Sequence, residues 1–337
     1  MKTLQHIAIT LLLLITSEGM AQDIHFSQFP ISALNLNPAN AGNFNGDLRM
    51  NAMLRRQWSS ITVPYKTISL AGDIRLSVLN EQLKGLGAGL VINHDDAGDG
   101  QMRTLDVRLY PSYRKPITSD SIQFLRAGIM LGFSQRSVDF SRLSFDNQFN
   151  GDVFDPLAAN GEGAAGDKVT WFDLGFGFGW EMQQENSNWD IGFSATHINR
   201  PNQSFYSEKV RRPVLWQFHA TPIFKLSSKL NLLPSAVFMK QQDYRALNFG
   251  AELKIDLMQE PAKNYSFGLG LNLRVKDALI PFVAVYWNKF RFGFSYDVTT
   301  SNLNTVNNGR GGPEFSLVYI SKKIKAHPQK HVICPVY

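Results

Sequence analysis

Few residues of this chain have the types and the spacing that catalysis or metal binding requires. The richest segment is His94–Gly100, with the sequence HDDAGDG, because its aspartates offer the oxygen ligands that a hard cation such as Ca²⁺ prefers. The segment departs from the spacing of an EF-hand loop, since Ala97 supplies no side-chain oxygen and no glutamate stands at the distal ligand position. A polar, glycine-rich hairpin is therefore the favoured interpretation.

The chain also lacks a complete set of residues for hydrolytic or redox catalysis. His197 or His219 could serve as the general base of a hydrolase, but no serine in a sharp-turn motif accompanies them. His25 and Cys334 are single potential metal ligands without a partner at metal-binding spacing. Cys334 is the one cysteine of the chain, so it is either a free thiol or an intermolecular link. The sequence predicts no enzyme, no cofactor and no metal site.

The elements that must position these residues are β-strands. From about Leu48 to Lys323, apolar or aromatic residues recur at every second position, most clearly in Phe172–Trp180 and Phe290–Val298. Strand side chains alternate between faces, so each segment has one apolar face and one polar, glycine-rich face. Repeated with turn signals, this pattern is typical of an all-β, transmembrane antiparallel β-barrel. A water-soluble β-sandwich is the weaker alternative, because so many aromatic faces would overfill its core.

The alternation predicts about fourteen strands, an even number as expected for a bacterial single-chain barrel. Past residue 21, 337 − 21 = 316 residues allow about 22 residues for each strand with its connection, which suits one membrane domain. The approximate strand centres are Leu54, Leu70, Leu90, Val107, Ile129, Phe176, Phe193, Phe218, Val237, Phe249, Leu269, Val283, Phe294 and Leu317.

The N-terminus has the features of a secretory signal peptide, residues 1–21. Lys2 precedes the apolar run Ile7–Ile15, and small residues lead to a mature start at Gln22. An uncleaved anchor is the weaker interpretation, because the run is too short to span a bilayer as a helix. The net charge of +6 comes from scattered residues, so nucleic acid is not an expected partner.

Connection lengths predict the orientation of the barrel, residues 46–323. The long connections Ser137–Lys168, Asn199–Arg212 and Thr299–Gly311 are expected outside the cell, and the short turns in the periplasm. Both termini are then periplasmic. Residues 22–45, aromatic and turn-rich, form a periplasmic segment that folds into the barrel mouth as a plug, and residues 324–337 form a periplasmic tail.

Aromatic residues and prolines refine this interpretation. Tryptophans near predicted strand ends resemble two interfacial girdles, formed on one side by Trp58, Trp171 and Trp216 and on the other by Trp180, Trp189 and Trp287. Pro222, Pro234 and Pro281 lie inside predicted strands, where the missing N–H indicates bulges or shifted strand boundaries.

The face opposite the apolar side chains carries charges of both signs, which predicts cross-strand ion pairs around a polar lumen. The residues assigned to this inward face are Arg49, Asn51, Arg55, Asp73, Arg75, Asp106, Arg108, Arg126, Asp173, Glu252, Lys254, Asp256, Arg274, Arg291, Asp297 and Glu314.

Seven short motifs follow one another along nearly the whole mature chain. They are QDIHFSQF from residue 22, LNPANAG at 36–42, RRQW at 55–58, DDAGDG at 95–100, HINRPNQSF at 197–205, FGFSYDVT at 292–299 and CP at 334–335. In order and spacing they resemble the PorP/SprF family of type IX secretion system outer-membrane proteins. Pro30 and the terminal CPVY depart from the usual family pattern. The motif positions, of unknown role, are Asn37, Pro38, Ala39, Gly42, Arg56, Trp58, Asp95, Gly98, Gly100, His197, Pro201, Ser295, Tyr296, Asp297, Cys334 and Pro335.

The resemblance implies a barrel in the cell outer membrane, surrounded by its lipid, that works with the type IX export machinery. The implied partners are the periplasmic ring lipoprotein complex and a large secreted adhesin, as in gliding motility, or its C-terminal signal. It implies no catalytic residues. The competing hypothesis is a diffusion channel or a hydrophobic-solute transporter, because fatty-acid-transporter barrels have a similar size and an Asn-Pro-Ala element before the barrel.

Overall fold

The computed structural model describes residues 23–59, 63–149, 151–155, 157–158, 161, 166–260, 263–302 and 304–322. The predicted signal peptide (1–21), Gln22 and the tail 324–337 with Cys334 and Pro335 lie outside the described residues.

The described part of the chain is built mainly of β-strands. The strands are β1 (Leu48–Gln57), β2 (Tyr65–Arg75), β3 (Leu86–Ala97), β4 (Met102–Pro116), β5 (Gln123–Ser137), β6 (Lys168–Gln183), β7 (Ser187–Thr196), β8 (Leu215–Ala220), β9 (Ile223–Lys225), β10 (Leu230–Gln241), β11 (Tyr244–Glu260), β12 (Lys263–Arg274), β13 (Ala278–Trp287), β14 (Phe290–Thr299) and β15 (Arg310–Ser321). Two short α-helices, α1 (Ala33–Leu36) and α2 (Asn304–Asn307), accompany 3₁₀ turns at Pro38–Asn40, Leu76–Val78, Glu81–Leu83, Phe140–Arg142 and Asp146–Gln148. No helix within the described residues is long and apolar enough to cross a membrane.

These strands close into a fourteen-strand antiparallel barrel. Neighbouring wall strands pair antiparallel, and β1 pairs with β15 with Leu54 opposite Phe315, so the sheet has no free edge. β8 and β9 lie end to end between β7 and β10 and together form one wall strand. All fourteen predicted strand centres fall within strands, which confirms the predicted fold class.

The prolines interrupt the ladder, as the sequence predicts. Pro222 lies in the break between β8 and β9. Pro234 pairs with Ala251 of β11, but the described register leaves residues 233–235 unpaired with residues 221–223. Pro281 pairs with Leu271 of β12, while the described register with β14 skips residues 280–281. Each proline therefore weakens the wall on the side where its missing N–H would point.

The two faces of the wall have the predicted polarity. Large apolar side chains such as Leu109, Phe172 and Phe178 are exposed on the outside. All sixteen residues assigned to the inward face are buried or half-buried. Cross-strand ion pairs join several of them, for example Arg49 with Asp73 at 2.8 Å. The polar lumen of the sequence analysis is thus confirmed.

One tryptophan does not follow the predicted girdles. Trp171 is 6% exposed and lies on the inward face, two residues from Asp173. The Arg136 and Arg212 guanidinium groups lie 5.4 and 5.8 Å from its ring centroid. The prediction was wrong at this position because it placed Trp171 by distance from the strand end, whereas the period of two fixes its face.

Candidate functional site

The lumen is occupied by the N-terminal segment, defined here as residues 23–45. Its local fold follows from its sequence. Turns at Gln28–Ser32 lead into α1, and the side chain of Asn37 accepts a hydrogen bond from the Ala39 N–H at 2.9 Å. Pro38, at the first position of the 3₁₀ turn, needs no N–H partner there. The LNPANAG motif therefore encodes a helix end followed by a capped turn.

The N-terminal segment runs from one mouth of the barrel to the other. The loop end is the mouth with the connections 138–167, 197–214 and 300–309, and the turn end is the mouth where β1 begins and β15 ends. Asp23 contacts His197, Arg212 and Gln241 at the loop end. Gly42 contacts Asp73 at the turn end. Asp23 and the end of β15 therefore lie at opposite mouths, which does not fit the prediction that both ends of the mature chain are periplasmic. Which mouth faces the periplasm stays a prediction.

At the loop end, a buried ionic cluster holds the start of the segment. The Asp23 carboxylate is 2.5 Å from Nε2 of His197 and pairs with Arg212, while Nδ1 of His197 pairs with Asp173. Burial alone raises the pKa of the Asp23 carboxyl, but Arg212 and His197 hold it well below its ordinary value of 3.8. The segment is thus fixed here by a carboxylate that stays ionised.

A few residues after Asp23, backbone N–H groups of the segment bind a buried carboxylate. The amides of Ser27 and Gln28 donate to the two oxygens of Glu314 at 2.7 and 2.8 Å. The Ser27 hydroxyl donates to Asp297 at 2.6 Å, and Arg55 pairs with the other oxygen of Asp297 at 2.7 Å. Through these contacts, the FSQF motif and Asp297, which are far apart in sequence, bind each other in the lumen.

An apolar cluster accompanies this polar contact. Phe29 and Leu36 of the segment pack with lumen-facing side chains of three strands, namely Leu215, Val237, Met239 and Ala246. All of these side chains are buried. The segment therefore adds a small hydrophobic core to a lumen that is otherwise polar.

Glycines of the lumen wall make room for the LNPANAG turn. Asn37 Nδ2 donates to the carbonyl oxygens of Phe178 at 2.9 Å and Phe193 at 3.3 Å. A Cβ atom at Gly177 would lie 1.9 Å from Asn37 Oδ1, and one at Gly128 would lie 2.5 Å from the Pro38 carbonyl. Only glycine allows the segment to approach the wall so closely, so the N-terminal segment packs against the glycine-rich inner face.

At the turn end, the segment leaves the lumen between two arginines. Gly42, with φ of +70°, donates its N–H to Asp73 at 2.8 Å and accepts a hydrogen bond from Arg75 at 3.0 Å. The guanidinium carbons of Arg49 and Arg75 lie 4.8 and 5.6 Å from the centroid of the Phe44 ring. The left-handed backbone at Gly42 and the ring of Phe44 turn the chain toward β1.

Two further motif positions also meet the lumen contents. Ser295 Oγ accepts a hydrogen bond from Gln28 Nε2 at 3.2 Å. The carbonyl of Pro201, in the connection 197–214, accepts from the Arg212 N–H at 2.9 Å, next to the Asp23 cluster. Ala39 is also buried within the segment. Motifs that are far apart in sequence thus converge on one segment.

The remaining described motif positions lie elsewhere. Asp95 faces inward and accepts a hydrogen bond from the Thr67 hydroxyl at 2.5 Å, whereas Asp96 faces outward. Adjacent residues of a strand point to opposite faces, so these two carboxylates cannot share a cation. Within the described residues, no group of three or more His, Cys, Asp or Glu could hold a metal. Arg56, Trp58, Gly98, Gly100 and Tyr296 belong to strand ends, connections or the outer face.

Sequence reasoning did not single out several contact residues. Asp23, Ser27 and Gln28 lie within the QDIHFSQF motif, and Arg212 and Gln241 lie in a connection and at a strand end. Their partners are separated from them by more than 170 residues. The one local signal is that Asp23, a charged residue, stands next to a run of apolar and aromatic residues, which suggests that its carboxylate has a buried partner.

A closed barrel of fourteen strands, apolar outside, polar inside and filled by its own N-terminal segment, defines an outer-membrane β-barrel protein. Comparison with protein families agrees with this class. The chain belongs to the family described as type IX secretion system membrane protein PorP/SprF, whose model matches residues 18–319. Among curated proteins, none matches the sequence significantly.

Two toluene transporters and a FadL homologue are among the solved structures with a similar fold. The toluene transporter TbuX of Ralstonia pickettii superposes with a TM-score of 0.51 at 11% identity, over 86% of this chain and 93% of that one. The toluene transporter TodX of Pseudomonas putida gives 0.49 at 10% identity, over 85% and 92%. A FadL homologue of Pseudomonas aeruginosa gives 0.45 at 11% identity, over 86% and 94%. Likeness at this identity shows the fold alone.

Proposed function

We propose that this protein is a docking barrel of the type IX secretion system, which assists the export or surface attachment of a secreted partner such as a large adhesin. The observation that carries the proposal is the N-terminal segment, which crosses the lumen and is bound at both mouths and in between. Because the segment fills the lumen, the two mouths are the surfaces on which a partner protein can dock. We place the turn end in the periplasm, because short turns are typical of that side.

The turn end offers a cleft for such a partner. Its volume is about 850 Å³, and it lies between the end of the N-terminal segment and the turn joining β6 to β7. Basic and acidic side chains both line it, which suits an extended peptide of mixed charge. The residues that define it include Phe44, Arg114, Glu181, Asn186, Lys225 and Lys254. The proposed occupants are a component of the periplasmic ring or the C-terminal signal of the secreted partner.

Site-specific photo-crosslinking in living cells tests this proposal. A photoreactive residue at Asn186 or Lys225 of the cleft should capture a secretion component or a secreted protein, and one at Arg142 in a loop-end connection serves as the control. A deletion strain should lose export or surface display of that partner. Normal secretion in the deletion strain, together with no cleft-specific crosslink, would contradict the proposal.

A hydrophobic-solute barrel is the second candidate, because the wall break opens beside a cavity. The cavity, about 240 Å³, extends from Pro222 and Pro234 past Ile31 to Phe282 and Arg291. It is apolar near the wall and polar at its inner end. Filling it with Ile31→Trp should leave secretion unchanged under the docking proposal. Uptake of an apolar solute that this variant abolishes, in cells that secrete normally, would favour the second candidate.

A further inference from the structure

Three basic residues form a row on the outer face of the wall at the loop end. Arg56 lies directly opposite Lys66, Lys66 is opposite Asp96, and Asp96 is opposite Arg103. Like charges placed directly across a sheet destabilise it. Asp96 is the one carboxylate in the row, and it already contacts Arg103 and His94, each at 3.2 Å. Among the described residues, no ion pair or side-chain hydrogen bond engages Arg56 or Lys66, and both are exposed.

An apolar groove begins beside this row and continues down the wall. The first cavity, about 550 Å³, lies between the basic residues and Leu54, Val63 and Pro64. A second cavity, about 580 Å³, follows on the outside of β13, β14, β15, β1 and β2, and Leu54 lines both. Ala52 makes room in the second cavity, because its strand partners are the large Leu70 and Leu317.

We propose that this groove binds one phosphorylated glycolipid of the surrounding leaflet, with its phosphate on Arg56, Lys66 and Arg103 and an acyl chain along Ala52. Three cations against one carboxylate complement a phosphate, and guanidinium groups bind phosphate oxygens in pairs. Leu54 and Arg56 are two residues apart on one face, about 7 Å along the strand. This spacing puts the row at head-group level and the groove at acyl-chain level.

The position of the groove excludes a soluble ligand as its natural occupant. Its lower part lies among exposed Leu70, Phe294 and Phe315, within the band of the wall that faces hydrocarbon. A free phosphate would use the basic row and leave the groove empty. A lipid uses both, which explains why the exposed cations and the groove adjoin.

Binding to the purified full-length protein in detergent tests the proposal independently of secretion. The probes are bisphosphorylated lipid A, dephosphorylated lipid A and water-soluble glucosamine phosphate, detected by native mass spectrometry. Phosphorylated lipid A should bind best. Equal binding of the dephosphorylated form would overturn the role of the phosphate, and equal binding of the soluble sugar phosphate would overturn the role of the acyl groove.

A matched pair of variants separates the site from general surface charge. R56Q/K66Q should weaken binding about 25-fold, because each basic residue near an anionic lipid contributes roughly a factor of five. K240Q/R245Q removes two exposed cations that face each other on β10 and β11 and border neither cavity, so it should bind as the wild type does. An equal loss in both pairs would overturn the proposal.

The groove itself is tested without altering charge. Ala52→Trp fills the second cavity and should also weaken lipid binding. Heat-dependent gel mobility shows that each variant has a folded barrel. Lipid binding by folded Ala52→Trp at the wild-type level would overturn the assignment of the acyl chain to this groove.

Discussion

Replacing Gly177 with valine should displace the N-terminal segment locally and give the barrel a measurable conductance. Gly177 lies on the lumen face of β6, where the Cβ of any other residue would lie 1.9 Å from Asn37 Oδ1 and 2.9 Å from Pro38 Cδ. The barrel wall is held by continuous pairing with β5 and β7 at this point. The segment, not the wall, must therefore move.

The size of the effect follows from the contacts that are lost. Moving Asn37 breaks its hydrogen bonds to the carbonyls of Phe178 and Phe193. Two such bonds contribute about 0.5–1.5 kcal/mol each, and a buried amide left without a partner costs about 1–3 kcal/mol more. A total of about 3 kcal/mol raises the population of the displaced segment about 100-fold. Asp23 and Gly42 still anchor both ends, so brief openings are expected rather than a permanent pore.

Single-channel recording in planar bilayers measures this effect. Gly177→Val should show frequent short openings that the wild type lacks. Gly72→Val is the control, because a Cβ at Gly72 meets only the Arg49 carbonyl oxygen at 3.8 Å, and it should behave as the wild type. If folded Gly177→Val conducts no more than Gly72→Val, the N-terminal segment is not what closes the lumen.

Three further variants test other parts of the structure. The low pKa of Asp23 means that its stabilising contribution is present above its ordinary pKa and is lost only as pH falls below it. The amide protection factors of the segment, which are exchange rates corrected for the intrinsic pH dependence of exchange, should therefore stay constant between about pH 8 and 5 in the wild type and be lower throughout in Asp23→Asn; a change in the wild-type protection factors within this range would contradict the ion cluster. Arg55→Leu leaves Glu314 without its buried cation and should cost about 3–5 kcal/mol of stability in urea unfolding, whereas a loss under about 1 kcal/mol would show that the pair is dispensable. Phe176→Arg on the lipid-facing side should cost about 2–4 kcal/mol and lower the yield of assembled barrel, and a normal yield would contradict the assignment of that face.

The strands could be predicted from sequence because the period of two is a local property. The residue types of Phe176 and Gly177 alone assign them to the outer and the inner face, without reference to distant parts of the chain. Trp171 was misplaced because its type fits both a membrane interface and a lumen where arginines cover its ring. The alternation therefore predicts reliably which face of the wall a side chain lies on. It predicts less reliably whether that side chain contacts lipid, water or other protein groups.

The course of the N-terminal segment could not be predicted. Its direction depends on contacts such as Ser27 with Glu314, which are 287 residues apart, and on which mouth receives Asp23. A glycine on the inner face indicates only that space is available. Gly177 and Asn37 are separated by most of the early strands, so no local pattern could pair them.

The lumen contacts also determine whether the N-terminal segment stays in the lumen or leaves it spontaneously. Leaving the lumen would expose Phe29 and Leu36, which are 5% exposed now, and each side chain of this size contributes about 1.5–3 kcal/mol when buried. Water could replace the N–H groups that Ser27 and Gln28 offer to Glu314, but it cannot replace this apolar contact. The burial of Phe29 and Leu36 alone therefore limits the state in which the segment has left the lumen to about 1% of molecules or less. A barrel that spends its time filled in this way acts through its mouths and its outer wall, and transport through the lumen requires a partner that binds the released segment.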